Sequence, residues 1–138
     1  MERWTCPACG REFGARRQAH TCVPGCSVEE SFAGRPAGQR AVYDAVVAHL
    51  ESVGPVHVDA VRVGVFLRRR RKLAEVRPRA RSVALLLMLP RRLAHPRVSR
   101  RLRVSADRIM HVIPLTSVDE VDEELRGWLT EAYVAAGG

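Results

Sequence analysis

Residues 82–90 read Ser-Val-Ala-Leu-Leu-Leu-Met-Leu-Pro, an unbroken apolar run from Val83 to Leu89 stopped by Pro90. A run this short suits a strand better than a helix, and the lack of polar alternation requires cover on both faces. It therefore reads as the centre of a sheet. Toward the N-terminus, Leu73 to Val76 is a second short strand-like stretch before Pro78, returning antiparallel after a turn through Arg69 to Lys72 that follows Val63–Leu67. Before it, Val56-His57-Val58-Asp59-Ala60-Val61 alternates with the two-residue period of a strand. Toward the C-terminus the chain is arginine-rich and irregular after Pro90. Arg108 to Leu115 then alternates, with His111 facing opposite to Met110 and Val112. These segments predict an antiparallel sheet of four or five strands.

Helices flank the strands. Ser27-Val-Glu-Glu30 is a capping box that starts a short helix ending near Gly34. Pro36 suits the first turn of the next helix, over 37–53. Ala41, Val42, Ala45, Val46, His49, Leu50 and Val53 recur there at helical spacing until Gly54-Pro55 stops it. Ser117-Val-Asp-Glu120 opens a last helix over 117–135, whose apolar face is Val118, Val121, Leu125, Trp128, Leu129 and Ala132. Strands and helices in separate runs give an α+β class.

The N-terminal segment follows different chemistry. Cys6-Pro-Ala-Cys9-Gly10 places two thiols on a tight turn, and His20 and Cys22 follow within a few residues of one another. Three thiols and one imidazole at this spacing are the donors of a tetrahedral zinc site, and four protein ligands leave no position for water or substrate. Zn2+ at Cys6, Cys9, His20 and Cys22 is accordingly a folding device. Cys26 competes with Cys22 for the fourth place, because His20-x-Cys22 and His20-x5-Cys26 are both reachable from an irregular segment. All four cysteines precede residue 27. Two disulfides are the alternative use, but no export signal precedes them, and a reducing, cytoplasmic setting favours the metal. No apolar stretch is long enough to cross a bilayer, so no membrane partner is expected.

Charge is unevenly spread. Lys and Arg against Asp and Glu give −1 for residues 1–61, +14 for 62–108 and −5 for 109–138, within a formal total of +8. The middle block attracts polyanions. Arg68, Arg69, Arg70, Arg71 and Lys72 are consecutive, Arg100, Arg101 and Arg103 follow, and Arg16 and Arg17 stand beside the metal ligands. These residues are the candidates for contact with DNA or RNA. A solvated hairpin loop that blunts edge pairing is the competing account of the run at 68–72. Phe66 is the only aromatic between residues 62 and 108, so the expected contact is to the backbone and indifferent to sequence.

Catalytic signatures are missing. The chain has no G-x-S-x-G, no glycine-rich phosphate loop and no H-E-x-x-H. His57, His95 and His111 with Asp59 or Asp107 are the remaining acid–base candidates. A competing reading places a small-ligand or protein-binding pocket, an enzyme's included, between sheet and last helix near His111, Trp128 and Tyr133.

The segments WTCPACGREF (4–13), QAHTC (18–22), PAGQRAVYDAVVAHLESVGPV (36–56), GVFLRR (64–69), LAEVRP (73–78), HPRV (95–98) and VDEELRGWLTEAY (121–133) carry a resemblance. The chain resembles an uncharacterised bacterial family that joins a short Cys/His finger to a small α+β domain, the latter similar to one labelled a predicted transport protein. The resemblance implies Cys6, Cys9, His20 and Cys22 as the zinc set, with Cys26 outside it, and implies no mechanism. The expected organisation is a CCHC-type zinc knuckle over 1–26 and an α+β domain over 27–138. The leading expectation for function is non-enzymatic binding of nucleic acid.

Overall fold

Seven consecutive buried residues make Val83–Leu89 an interior strand of a six-stranded antiparallel sheet, seen in a computed structural model that describes residues 3–18, 20 and 22–137. In chain order the elements are β1 (Trp4–Thr5), β2 (Glu12–Phe13), α1 (Val28–Ser31), α2 (Ala37–Val53), β3 (His57–Val61), β4 (Gly64–Arg68), β5 (Lys72–Pro78), β6 (Val83–Leu89), β7 (Arg100–Ser105), β8 (Arg108–Leu115) and α3 (Glu123–Ala135). The large sheet runs β3-β4-β5-β6-β8-β7, and β1 pairs with β2 separately.

Register explains why β6 shows no alternation. Leu85 and Leu87 stand opposite Val76 and Ala74 on β5 and opposite Ile113 and His111 on β8. This face is roofed by α2, through Val42, Val46 and Leu50, and by α3, through Leu125, Trp128, Leu129 and Ala132. Ala84, Leu86 and Met88 point to the other face and are also buried. Where α2 ends, Gly54 leaves no Cβ in the way of the Tyr133 hydroxyl, which donates to Pro55 O at 3.0 Å.

Two expectations change. The sheet has six strands, because residues 100–105 form the edge strand β7 instead of an irregular stretch. An edge strand exposed along nearly its whole length has no core face to encode, so arginines replace the apolar alternation. The last helix begins at Glu123, not near Ser117. Glu120 reaches back to the Ser117 N–H at 3.2 Å but closes only one 3-10 turn, and Asp122 caps the helix by accepting from Leu125 N–H at 3.0 Å. No helix among the described residues is long and apolar enough to cross a membrane.

The N-terminal segment packs on the sheet face opposite the helices, at the β3–β4 side. Phe13 is fully buried, Arg11 binds Asp59 of β3, and Cys26 N–H donates to Ala60 O at 2.9 Å. A Gly25–Val61 bridge extends the β3 edge, and Ser31 Oγ donates to Val61 O at 2.7 Å. The side that would otherwise be bare is thus tied to the N-terminal segment.

Candidate metal centre and cationic surface

The first half of the site is the turn Cys6–Gly10. Gly10 N–H donates to Cys6 O and Cys6 N–H to Arg11 O, both at 2.8 Å, and Gly10 takes φ 74°, a value glycine adopts without strain. The turn brings both thiols to one side. His20 and Cys22 close the set from the other, and one ligand atom of each of the four residues lies within 4.8 Å of every other. Cys6 Sγ is 3.7 Å from Cys22 Sγ, and His20 Nε2 is 3.4 Å from Cys9 Sγ and 3.2 Å from Cys22 Sγ.

Those separations test the fit of a metal. A tetrahedral ion with metal–sulfur bonds of about 2.3 Å and a metal–nitrogen bond of about 2.0 Å has edges of roughly 3.8 Å between sulfurs and roughly 3.5 Å between sulfur and nitrogen. The donor set fits. His20 Nδ1 lies 2.7 Å from Gln18 O, which takes its proton and leaves Nε2 free to ligate, and Phe13 stacks on the imidazole at 4.0 Å between centroids. The Cys9 backbone draws the Cys6 thiol down to about 6, while its closeness to Cys6 pushes Cys22 up to about 11. A cation at the centre reverses the second effect and lets all three thiols ligate as thiolates. Cys26 lies outside the set, with its Sγ 3.5 Å from Ser31 Oγ, so the described residues place Cys22 in the fourth position.

The cationic candidates do not form one continuous face. Arg16 and Arg17 are exposed on the N-terminal loop, Arg17 at φ 56°. Arg68 lies over the Phe13 ring at 5.6 Å and the Phe66 ring at 5.7 Å, and 3.8 Å from Asp59. Arg69 covers the Tyr133 ring and donates to Tyr133 O, while Arg71 donates to Ala135 O, so both serve the C-terminus of α3. Lys72 pairs with Glu75 at 3.0 Å. Arg100 is exposed on β7, Arg101 donates to Leu93 O at 2.7 Å, and Arg103 bonds Ala106 O at 3.0 Å. Arg97 joins Asp122, and Arg91 joins Glu131.

One gathering nevertheless emerges, at the end of the sheet where β4 and β6 finish and β5 and β8 begin. A cavity of about 450 Å³ is lined there by Arg3, Arg68, Arg69 and Arg70, together with His57 and Tyr133. Across the turn 68–72 a second cavity, of about 700 Å³, is lined by Arg71, Lys72 and Arg108 together with the acids Asp107 and Glu131, the latter joined to Arg91, over an apolar floor that includes Met88 and Ala132. Burial, then the charge of Arg71, lowers the pKa of Arg108. Arg3 and Arg108 are contributions that the arginine runs did not reveal, because each is brought in from a distant part of the chain.

Of the acid–base candidates, His57 and Asp59 share the lining of a cavity of about 550 Å³, and the others are engaged elsewhere. His111 is fully buried, accepting from Leu93 N–H at 2.9 Å through Nε2, with Nδ1 2.9 Å from Ile109 O. His95 sits edge-on to Trp128 and 3.2 Å from Glu124, Asp107 takes the Ser105 hydroxyl at 3.1 Å, and Asp59 is held by Arg11. Tyr133 lines the smaller cavity, but neither His111 nor Trp128 lines it or the larger one. His111 and Trp128 are buried, and the three residues do not line either of these two cavities together.

A protein-family model described as a domain of unknown function (DUF5655) matches residues 28–135, from the first residue of α1 to the last of α3. The Cys/His cluster lies ahead of the match, and the description carries no transport label. No curated protein and no solved structure matches the chain.

Proposed function

The chain belongs to that family, and on this premise we propose that it is a zinc-binding, non-enzymatic protein that holds the phosphate backbone of DNA or RNA along the cationic end of its sheet. Three thiolates and an imidazole in a closed tetrahedral set favour zinc over harder ions, and the full ligand set suits a structural metal. The ion's role in this reading is to fold the N-terminal segment so that Arg3 and Phe13 stand beside β3 and β4.

The observation that carries the proposal is the pair of cavities on either side of the turn 68–72. Between them they draw Arg3, Arg68, Arg69, Arg70, Arg71, Lys72 and Arg108 to one end of the sheet. From β4 to β8 that row spans three strand spacings, about 14 Å. Such a row suits a flexible polyanion better than a single small anion. Few aromatic faces are open there, since Tyr133 is covered by Arg69 and Phe66 is approached by Arg68 and Lys72. The contact is accordingly to phosphate and indifferent to base.

The test is fluorescence anisotropy with labelled single- and double-stranded oligonucleotides of unrelated sequence at about 50 mM salt. Arg3 and Arg70 are both exposed, so the double variant R3A/R70A keeps the fold while removing two contacts. The reading predicts micromolar affinity that varies little with sequence and falls several-fold in the variant. No detectable binding at low salt, or an unchanged affinity in the variant, overturns it.

A further inference from the structure

We infer that the cavity lined by Arg3, Arg68, Arg69 and Arg70 is a receptor for a terminal phosphate monoester, the phosphorylated end of a nucleic-acid strand. This inference rests on the backbone-binding reading and sharpens it at one site. Four arginines line the recess, with no Asp or Glu among the lining residues. Its innermost cation is Arg68, whose side chain is 13% exposed and whose Nε is buried with no partner among the described residues. The nearest acid, Asp59, lies 3.8 Å from Arg68 and already accepts from Arg11 at 3.0 and 3.1 Å. Positive charge therefore exceeds negative charge in a partly dehydrated place, an arrangement that an incoming anion relieves.

The form of the anion follows from charge and access. A phosphate monoester carries about −1.5 to −2 at neutral pH, against one charge for a diester, so it matches a cluster of guanidiniums better. A recess of about 450 Å³ accepts a group that protrudes, whereas an internal diester has to enter and leave with a nucleotide on each side. The base contributes little. The Tyr133 ring lies under the Arg69 guanidinium at 4.5 Å, and its hydroxyl is spent on Pro55 O, so no open ring remains for stacking. His57 completes the lining. Burial, then the charge of Arg3, lowers its pKa, which keeps it an uncharged hydrogen-bonding group at neutral pH.

The experiment uses the full chain with its metal and one oligonucleotide sequence in four forms: a 5′-phosphate, a 3′-phosphate, hydroxyls at both ends, and hydroxyl ends with one extra nucleotide. The inference predicts that at least one phosphorylated form binds about tenfold tighter than the hydroxyl form at roughly 150 mM salt, with less than about a twofold gain from the extra internal charge. It also predicts that R3A/R70A erases the preference and that millimolar inorganic phosphate competes with the phosphorylated form selectively. Equal affinity for all four forms overturns the terminal-phosphate site and leaves backbone binding standing. A preference that survives in R3A/R70A overturns its placement in this cavity. Absence of binding by every form overturns the backbone reading together with the inference built on it.

Discussion

Arg11 joins the N-terminal segment to the sheet. Its guanidinium binds Asp59 through Nε and Nη2 and lies over the Phe13 and Phe66 rings at 5.2 and 5.4 Å, and both partners of the ion pair are about 95% buried. A lone arginine after Cys-x2-Cys-Gly gives no sign of this role, because its partner is 48 positions away. Arg11→Ala strands a buried carboxylate and is expected to cost about 3–5 kcal/mol in urea unfolding, whereas Arg11→Met with Asp59→Leu recovers most of that loss. A cost under about 1 kcal/mol for the single change contradicts the account. His111 gives a second residue-scale prediction. Its pKa is lowered, chiefly by burial, and its two ring nitrogens are both engaged, so the folded state requires the neutral ring. The unfolded chain takes up a proton below its ordinary value of about 6.5, whereas the folded chain resists. The stability due to the neutral ring is therefore full above that pH and falls as pH drops toward the folded-state value. Urea midpoints measured from pH 7.5 to 5.5 are expected to fall more steeply for the wild type than for His111→Gln. Parallel curves count against the buried neutral histidine.

At the scale of elements, what could be read from sequence was whatever burial had written into it. The seven apolar residues of β6 are covered on both faces, and the stripe Leu125, Trp128, Leu129 and Ala132 of α3 meets the core, so both were legible. Strand β7 was not, because pairing with β8 alone makes it a strand and leaves its side chains in solvent. The run Arg68–Lys72 was misleading in a different way. It reads as a projecting cationic tip, but Arg70 and Arg71 N–H donate to Ala136 O at 3.2 and 3.1 Å, and the Arg69 and Arg71 side chains bond the last carbonyls of α3. Cations at the negative end of a helix satisfy carbonyls that have no partner within it. The helix end that recruits them lies 64 positions away. The contrast between β6 and β7 is testable. Leu87→Ala, at a fully buried position, is expected to cost about 2–5 kcal/mol, and Leu102→Ala, at a position 53% exposed, less than about 0.5 kcal/mol. Similar thermal shifts for the two contradict the assigned topology.

For the whole molecule, the ligand set was legible as a local spacing, while the cationic surface was not. Three thiols and an imidazole within seventeen positions can only close locally, and they do. The +14 block of residues 62–108, by contrast, is divided by the sheet. Arg77 lies at the opposite end of β5, Arg97 pairs with acids at the start of α3, and Arg68–Lys72 with Arg108 gather beside Arg3. If zinc holds the N-terminal segment in place, purified protein carries about one equivalent, and chelation weakens nucleic-acid binding by detaching Arg3 and uncovering the Phe13 seat. Less than about half an equivalent, or binding untouched by chelation, contradicts that link. The central claim, that the cationic end of the sheet grips phosphates, is tested most directly by the slope of log Kd against log salt for a single-stranded oligonucleotide. Four to six phosphate contacts predict a slope magnitude of about 3–4, reduced by roughly 1.4 in R3A/R70A. A slope near zero, or one that the double variant leaves unchanged, contradicts the claim.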